Sequence, residues 1–174
     1  MGVSVQLEVS QPFEICCRKS ASGSARRIDN GEIKAFWATT VSAFSMKQGC
    51  YVFALEMRSG KYMPWYVGKT KKQTFQKECF GHFQLGKYNR ALFEHKGKPV
   101  MWFVAPQGNK NVLPKQVIKE MERFLIRQGR YENPEILNKA NAGLPQWGIK
   151  GVLRKGKGKP SSDEKAFSRM MGID

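Results

Sequence analysis

The chain predicts an α+β fold, a small antiparallel β-sheet flanked by helices. Three observations lead there. Two aromatic-rich apolar runs, residues 49–55 and 63–68, flank the turn signal Arg58-Ser59-Gly60-Lys61 and read as a β-hairpin. A continuous apolar run at residues 99–105 reads as a third, buried strand. Stretches of helical periodicity separate these strands, an order expected of a small sheet covered by helices.

The elements follow in order. Val3, Val5, Leu7 and Val9 alternate with polar residues and predict an N-terminal strand. Residues 18–27 form a polar loop. Asp29 or Asn30 caps a predicted helix running through Glu32, Ile33, Phe36 and Trp37 to about Ser42. After the hairpin, Thr74 caps a helical stretch from Phe75 to about Leu85. Pro114 opens the clearest helix, whose apolar face holds Val117, Ile118, Met121, Phe124 and Leu125, with Gly129 as its predicted end. Ser161 or Ser162 caps a final short helix carrying Phe167, Met170 and Met171. The expected organisation is an N-terminal strand-and-helix extension (residues 1–46), a central domain (47–141) and a basic C-terminal tail with a short helix (142–174).

Composition bounds the function. The chain has 174 residues, of which 41% are hydrophobic, enough for one domain with a real core. Thirty Lys and Arg stand against 14 Asp and Glu, a net charge of +16. Such a balance implies a polyanionic partner, with DNA or another nucleic acid ahead of a membrane surface. No apolar run approaches the ~20 residues that span a bilayer, no long basic amphipathic helix is visible, and no signal peptide is recognisable. A membrane partner is therefore not expected. Cys16, Cys17, Cys50 and Cys79 show no C-x-x-C or His spacing, so they read as free thiols of a reducing cytoplasm rather than a zinc site. Residues 150–159 interleave five cations with glycine, and Lys150, Arg154, Lys155, Lys157 and Lys159 are expected to contact phosphates without sequence preference. Nearby Trp147 offers a stacking surface for a base or a core side chain.

The hairpin carries Gly49-Cys50-Tyr51 on one strand and Tyr66-Val67-Gly68 on the other, bringing two phenols together. Further on come His82, Glu122 and Asn138. Gly-x-Tyr and Tyr-x-Gly are weak signals singly, but their order on a hairpin followed by those groups is a stronger one. The pattern over residues 47 to 141 resembles the GIY-YIG nuclease superfamily. Tyr66-Val67-Gly68-Lys69-Thr70 is similar to a segment of the nuclease subunit of nucleotide excision repair. Glu122-Arg123-Phe124-Leu125-Ile126 resembles the family's metal-binding helix, and residues 133–138 its Pro-then-Asn terminus.

The resemblance implies a DNA endonuclease in the cytoplasm, nucleoid-associated in a bacterium. One divalent cation, Mg²⁺ or Mn²⁺, is held by Glu122, with Tyr51, Tyr66 and His82 as catalytic candidates and Gly49, Gly68 and Asn138 in support. A carboxylate is a hard oxygen ligand suited to Mg²⁺, which keeps most of its waters and adds phosphate oxygens. A tyrosine near its free pKa of about 10 is a poor base at neutral pH unless a metal or cation lowers that value. Glu120 competes with Glu122, but only Glu122 is followed by Leu and Ile at the motif spacing. His95 lies in a turn and is expected to be solvated.

One position departs from the family. Where the pattern places an arginine, this chain has Glu78, and the loop before it is two residues longer than usual. Such an arginine steadies charge on the phosphate, and removing a group of that kind typically lowers the rate by about 10² to 10³. Lys77 is the nearest substitute, as a point charge without the bidentate fork. Lys69, Lys71, Lys72 and Arg90 are further candidates and are expected to bind the nucleic-acid backbone. Two functions compete at this point: an active metal-dependent endonuclease, and a nucleic-acid-binding module that has lost catalysis.

Overall fold

The computed structural model describes residues 5–19, 25–138 and 159–171. The chain divides into two compact units, residues 1–142 and 143–174. In the first, β1 (Leu7–Val9), β2 (Phe13–Glu14), β5 (Cys50–Glu56), β6 (Tyr62–Lys69) and β7 (Lys98–Pro106) form an antiparallel sheet ordered β1-β7-β5-β6, with β2 also pairing β7. Strands β3 (Arg18–Lys19) and β4 (Arg26–Arg27) make a separate two-stranded ribbon. The helices of this unit are α1 (Asn30–Trp37), a 3₁₀ turn (Thr40–Phe44), α2 (Phe75–Glu78), α3 (His82–Glu94) and α4 (Lys115–Glu132). The fold is mixed α and β with antiparallel sheets. No helix among the described residues is long and apolar enough to cross a membrane.

The sheet sorts its side chains onto two faces, as a period of two dictates. One face carries Tyr51, Phe53, Tyr66, Met101 and Phe103, packed with Phe36, Trp37, Phe75, Tyr88 and Leu92 from the helices α1 to α3. Phe53 stacks on Tyr88 with ring centroids 4.3 Å apart. The opposite face gathers Cys50 and Val67 beneath Ile118 and Ile126 of α4. The N-terminal segment joins the first face directly through Phe13, Ile15 and Ile28.

The hairpin has one irregularity that matters for the site. Phe53 pairs with Tyr66 and Ala54 with Pro64, so Trp65 is an extra residue on β6. Proline donates no ladder hydrogen bond, and strands accommodate it at edges and bulges. The outer edge of β6 is satisfied instead by residues 133–138. Asn133 Nδ2 donates to the Pro64 carbonyl (2.8 Å), and the Leu137 amide donates to the Trp65 carbonyl (2.8 Å). Asn138 then pairs with both backbone groups of Val67 (2.8 and 2.7 Å), acting as a one-residue surrogate strand.

Several local expectations change. Asp29 caps α1 in a reciprocal capping box with Glu32, but the α-helix stops at Trp37. The helix expected over 75–85 is broken, because Gly81 leaves helical geometry and starts a new helix at His82. Gly129 does not end α4, which continues to Glu132. A Cβ there would sit 2.8 Å from Ile136 Cδ1, so this last turn of the helix packs closely under the segment that follows. Phe124 is 59% exposed rather than part of the apolar face. The expected N-terminal strand forms as β1 at the sheet edge, over Leu7–Val9 only, and Val5, Leu7 and Val9 are exposed. His95 is half-buried and stacks on Trp65 at 3.9 Å.

In the second unit, α5 (Ser162–Met171) is capped by Ser161, whose amide and hydroxyl exchange hydrogen bonds with Glu164 (2.7 and 3.2 Å). Phe167, Met170 and Met171 are exposed.

Candidate active site

The glycine-and-tyrosine pattern has a packing cause. Tyr51 pairs with Gly68 across the hairpin, and its ring lies flat against that residue. A Cβ on Gly68 would fall 2.2 Å from Tyr51 Cζ and 2.4 Å from its hydroxyl. Gly49 sits at φ +155°, and a Cβ there would strike the Val104 carbonyl oxygen at 2.0 Å. Thr70, buried at the end of β6, holds this point by exchanging backbone bonds with Gly49: its hydroxyl accepts from the Gly49 amide (3.0 Å) and its amide donates to the Gly49 carbonyl (2.9 Å). So each tyrosine of the pattern has its glycine two positions away for reasons of space.

Tyr51 and Tyr66 share one face, with ring centroids 6.4 Å apart and planes inclined at 49°. Tyr51 is fully buried, and its hydroxyl has no hydrogen-bond partner. Gln84 and Tyr88 lie close enough to influence it without meeting hydrogen-bond geometry. Burial above all, then Tyr66, Cys79 and Glu78, pushes the Tyr51 phenol far above its ordinary range. Tyr66 is pushed up to about 12, by burial first and then by the carboxylates of Glu122 and Glu78. Both phenols are thus neutral at physiological pH, held so by desolvation and acids.

Glu122 comes from α4, on the other face of the sheet from the two tyrosines; its charge acts on Cys50 on its own face and, across the sheet, on Tyr66. Its carboxylate forms a close ion pair with Lys69 Nζ, both side chains being largely shielded from solvent. Cys50 is pushed up to about 12 by burial and by Glu122, with Lys69 opposing. Among the described residues no three His, Cys, Asp or Glu side chains gather as a metal cage. A single carboxylate is nonetheless a fitting donor set for Mg²⁺, which takes one or two protein carboxylates and completes its shell with water and phosphate. The fit requires Lys69 to release Glu122.

The remaining predicted residues fall in three groups. Asn138 pins the edge of β6 through Val67. His82 is exposed at the first turn of α3, and Lys77 is exposed on α2. Glu78, half-buried beside Lys77, faces the phenols and raises both. Lys71 and Lys72 are exposed just after β6, while Arg90 is engaged with Glu94 at 2.9 Å. Lys159 is exposed; Trp147, Lys150, Arg154, Lys155 and Lys157 lie outside the described residues.

One site residue escaped the sequence. Lys87 Nζ stands 4.6 Å from the Tyr66 ring centroid and 4.7 Å from that of Phe83, and donates to the Leu137 carbonyl (2.7 Å). It is the cation at the second tyrosine. Its spacing from Phe83, one helical turn, was the available signal, but nothing in the sequence tied that turn to Tyr66. Comparison with family models, with curated proteins and with solved structures gave no match to this chain.

Proposed function

We propose that the chain is a GIY-YIG-type endonuclease that hydrolyses DNA phosphodiester bonds with one Mg²⁺ or Mn²⁺ ion. The observation that carries the reading is the paired packing of Tyr51 against Gly68 with Tyr66 on the same face, while Glu122, on the opposite face of the sheet, acts on Tyr66 electrostatically. The bound ion supplies a Lewis acid for the scissile phosphate and the leaving oxygen. The chain's own groups do the rest. Glu122 offers the carboxylate once Lys69 leaves it, and the released ammonium becomes available to a phosphate oxygen. Tyr66, at the more open end of the pair, presents its phenol toward the nucleophile. Tyr51, fully enclosed, orients Tyr66 by ring contact and closes the inner wall against water. Lys87, in contact with the Tyr66 ring, stands in for the cation that Glu78 displaces from the family pattern.

A second reading is a nucleic-acid-binding module without catalysis, and two observations favour it. Glu78 acts on the phenols where an arginine is expected, and Tyr51 is sealed. Supercoiled, branched and single-stranded DNA incubated with and without Mg²⁺ or Mn²⁺ separates the two. Metal-dependent cleavage that Glu122→Ala abolishes, with binding retained, is expected of the nuclease. Binding to all forms with no cleavage under any ion selects the module.

A further inference from the structure

Beside the ion pair of Lys69 and Glu122 lies a cavity of about 170 Å³ whose lining is dominated by lysine. Lys69, Lys71 and Lys72 enter from the end of β6 and the loop after it, and Lys115 and Lys119 from the first turns of α4. None of the described lining residues is acidic. Thr70 and Ile118 supply its floor. The two halves are more than forty positions apart in the chain, so the cluster exists only in the fold.

This arrangement is unfavourable without a ligand. Lys115 and Lys119 are like charges at i,i+4, which repel on a helix surface. They also sit at the positive end of the helix dipole, where anions rather than cations are favoured. Lys69 is paired with Glu122, and the other four lysines, which line the space mainly with their apolar stems, raise the local positive potential. We propose that the cavity is a phosphate-binding subsite, taking one backbone phosphodiester of a nucleic-acid strand next to the Glu122 site. Lys69 belongs to both places, so a phosphate in the cavity competes with Glu122 for its ammonium. The proposal rests on the nucleic-acid half of the function above and is independent of cleavage.

The test is binding of duplex DNA across a salt series, without divalent ions, to the full chain and two double variants. Lys115→Gln with Lys119→Gln is expected to lower affinity about tenfold and to make the log–log salt slope shallower by about 0.9, one phosphate's share. Lys34→Gln with Lys98→Gln removes the same charge from exposed positions elsewhere and is expected to do markedly less. Equal effects of the two pairs would reduce the cavity to general charge and overturn the proposal. The cavity variant is also expected to unfold at the wild-type temperature or above, because it relieves repulsion; a fall of several degrees would assign the lysines a structural role instead. Inorganic phosphate at matched ionic strength separates the sources. Stabilisation of the wild type by free phosphate, with DNA affinity unchanged in the cavity variant, would make this a small-anion site and refute the assignment to a nucleic-acid strand. That result would leave the nuclease reading standing, since cleavage is measured separately.

Discussion

Removing the hydroxyl of Tyr51 should make this protein more stable. The side chain is fully buried, and its hydroxyl has no hydrogen-bond partner. A buried polar group left unsatisfied costs about 1–3 kcal/mol, so Tyr51→Phe should recover about 1 kcal/mol. For a chain of this length that corresponds to a rise in Tm of about 2–4 °C. Tyr88 provides the internal control. It is equally buried, but its hydroxyl donates to the Cys79 carbonyl at 2.7 Å. Tyr88→Phe strands that buried acceptor and should lose about 1–3 kcal/mol. The two substitutions delete the same atom from the same core and are expected to move stability in opposite directions. Urea unfolding monitored by tryptophan fluorescence reads both, and, because the role proposed for Tyr51 rests on its ring, DNA cleavage by Tyr51→Phe should be retained. If Tyr51→Phe is destabilised as much as Tyr88→Phe, the hydroxyl is satisfied in solution by Gln84 or Tyr88, and the case for an unsatisfied buried group collapses.

Two further outcomes follow from the same geometry. Gly68→Ala drives a methyl into the Tyr51 ring, 2.2 Å from its Cζ, in a core with no room to yield; a loss of about 1–3 kcal/mol or more in urea unfolding is expected, and a loss below about 0.5 kcal/mol would mean the ring moves freely. Asn138→Ala removes both bonds to the Val67 backbone and leaves that edge of β6 unpaired; amide hydrogen exchange at Val67 should accelerate, while unchanged exchange would show that residues 133–137 hold the edge alone.

Much of the fold could be read from the chain because its signals are local. Turn residues between two apolar runs mark the hairpin, Asp29 with Glu32 marks the start of α1, and Pro114 marks the start of α4. These depend on neighbours within a few positions, where sequence order and spatial order coincide. Errors arose where a residue answers to something distant. Gly129 looks like a helix end, yet α4 runs three residues further, with Ile136 of the following segment packed against this glycine. The alternation of Val5, Leu7 and Val9 does mark a strand, β1, but not its place at the sheet edge, where these side chains are exposed. For the site, the residue types at 51, 66 and 122 were legible as a pattern. What only tertiary structure decided is their state. Burial and Glu78 keep both phenols protonated, with Glu122 adding to the effect on Tyr66; Lys69 occupies Glu122, Lys87 rather than Lys77 meets Tyr66, and Lys115 and Lys119 close on Lys69, Lys71 and Lys72. Desolvation and charge pairing depend on distance through space, and a one-dimensional order carries no such distance beyond a few residues.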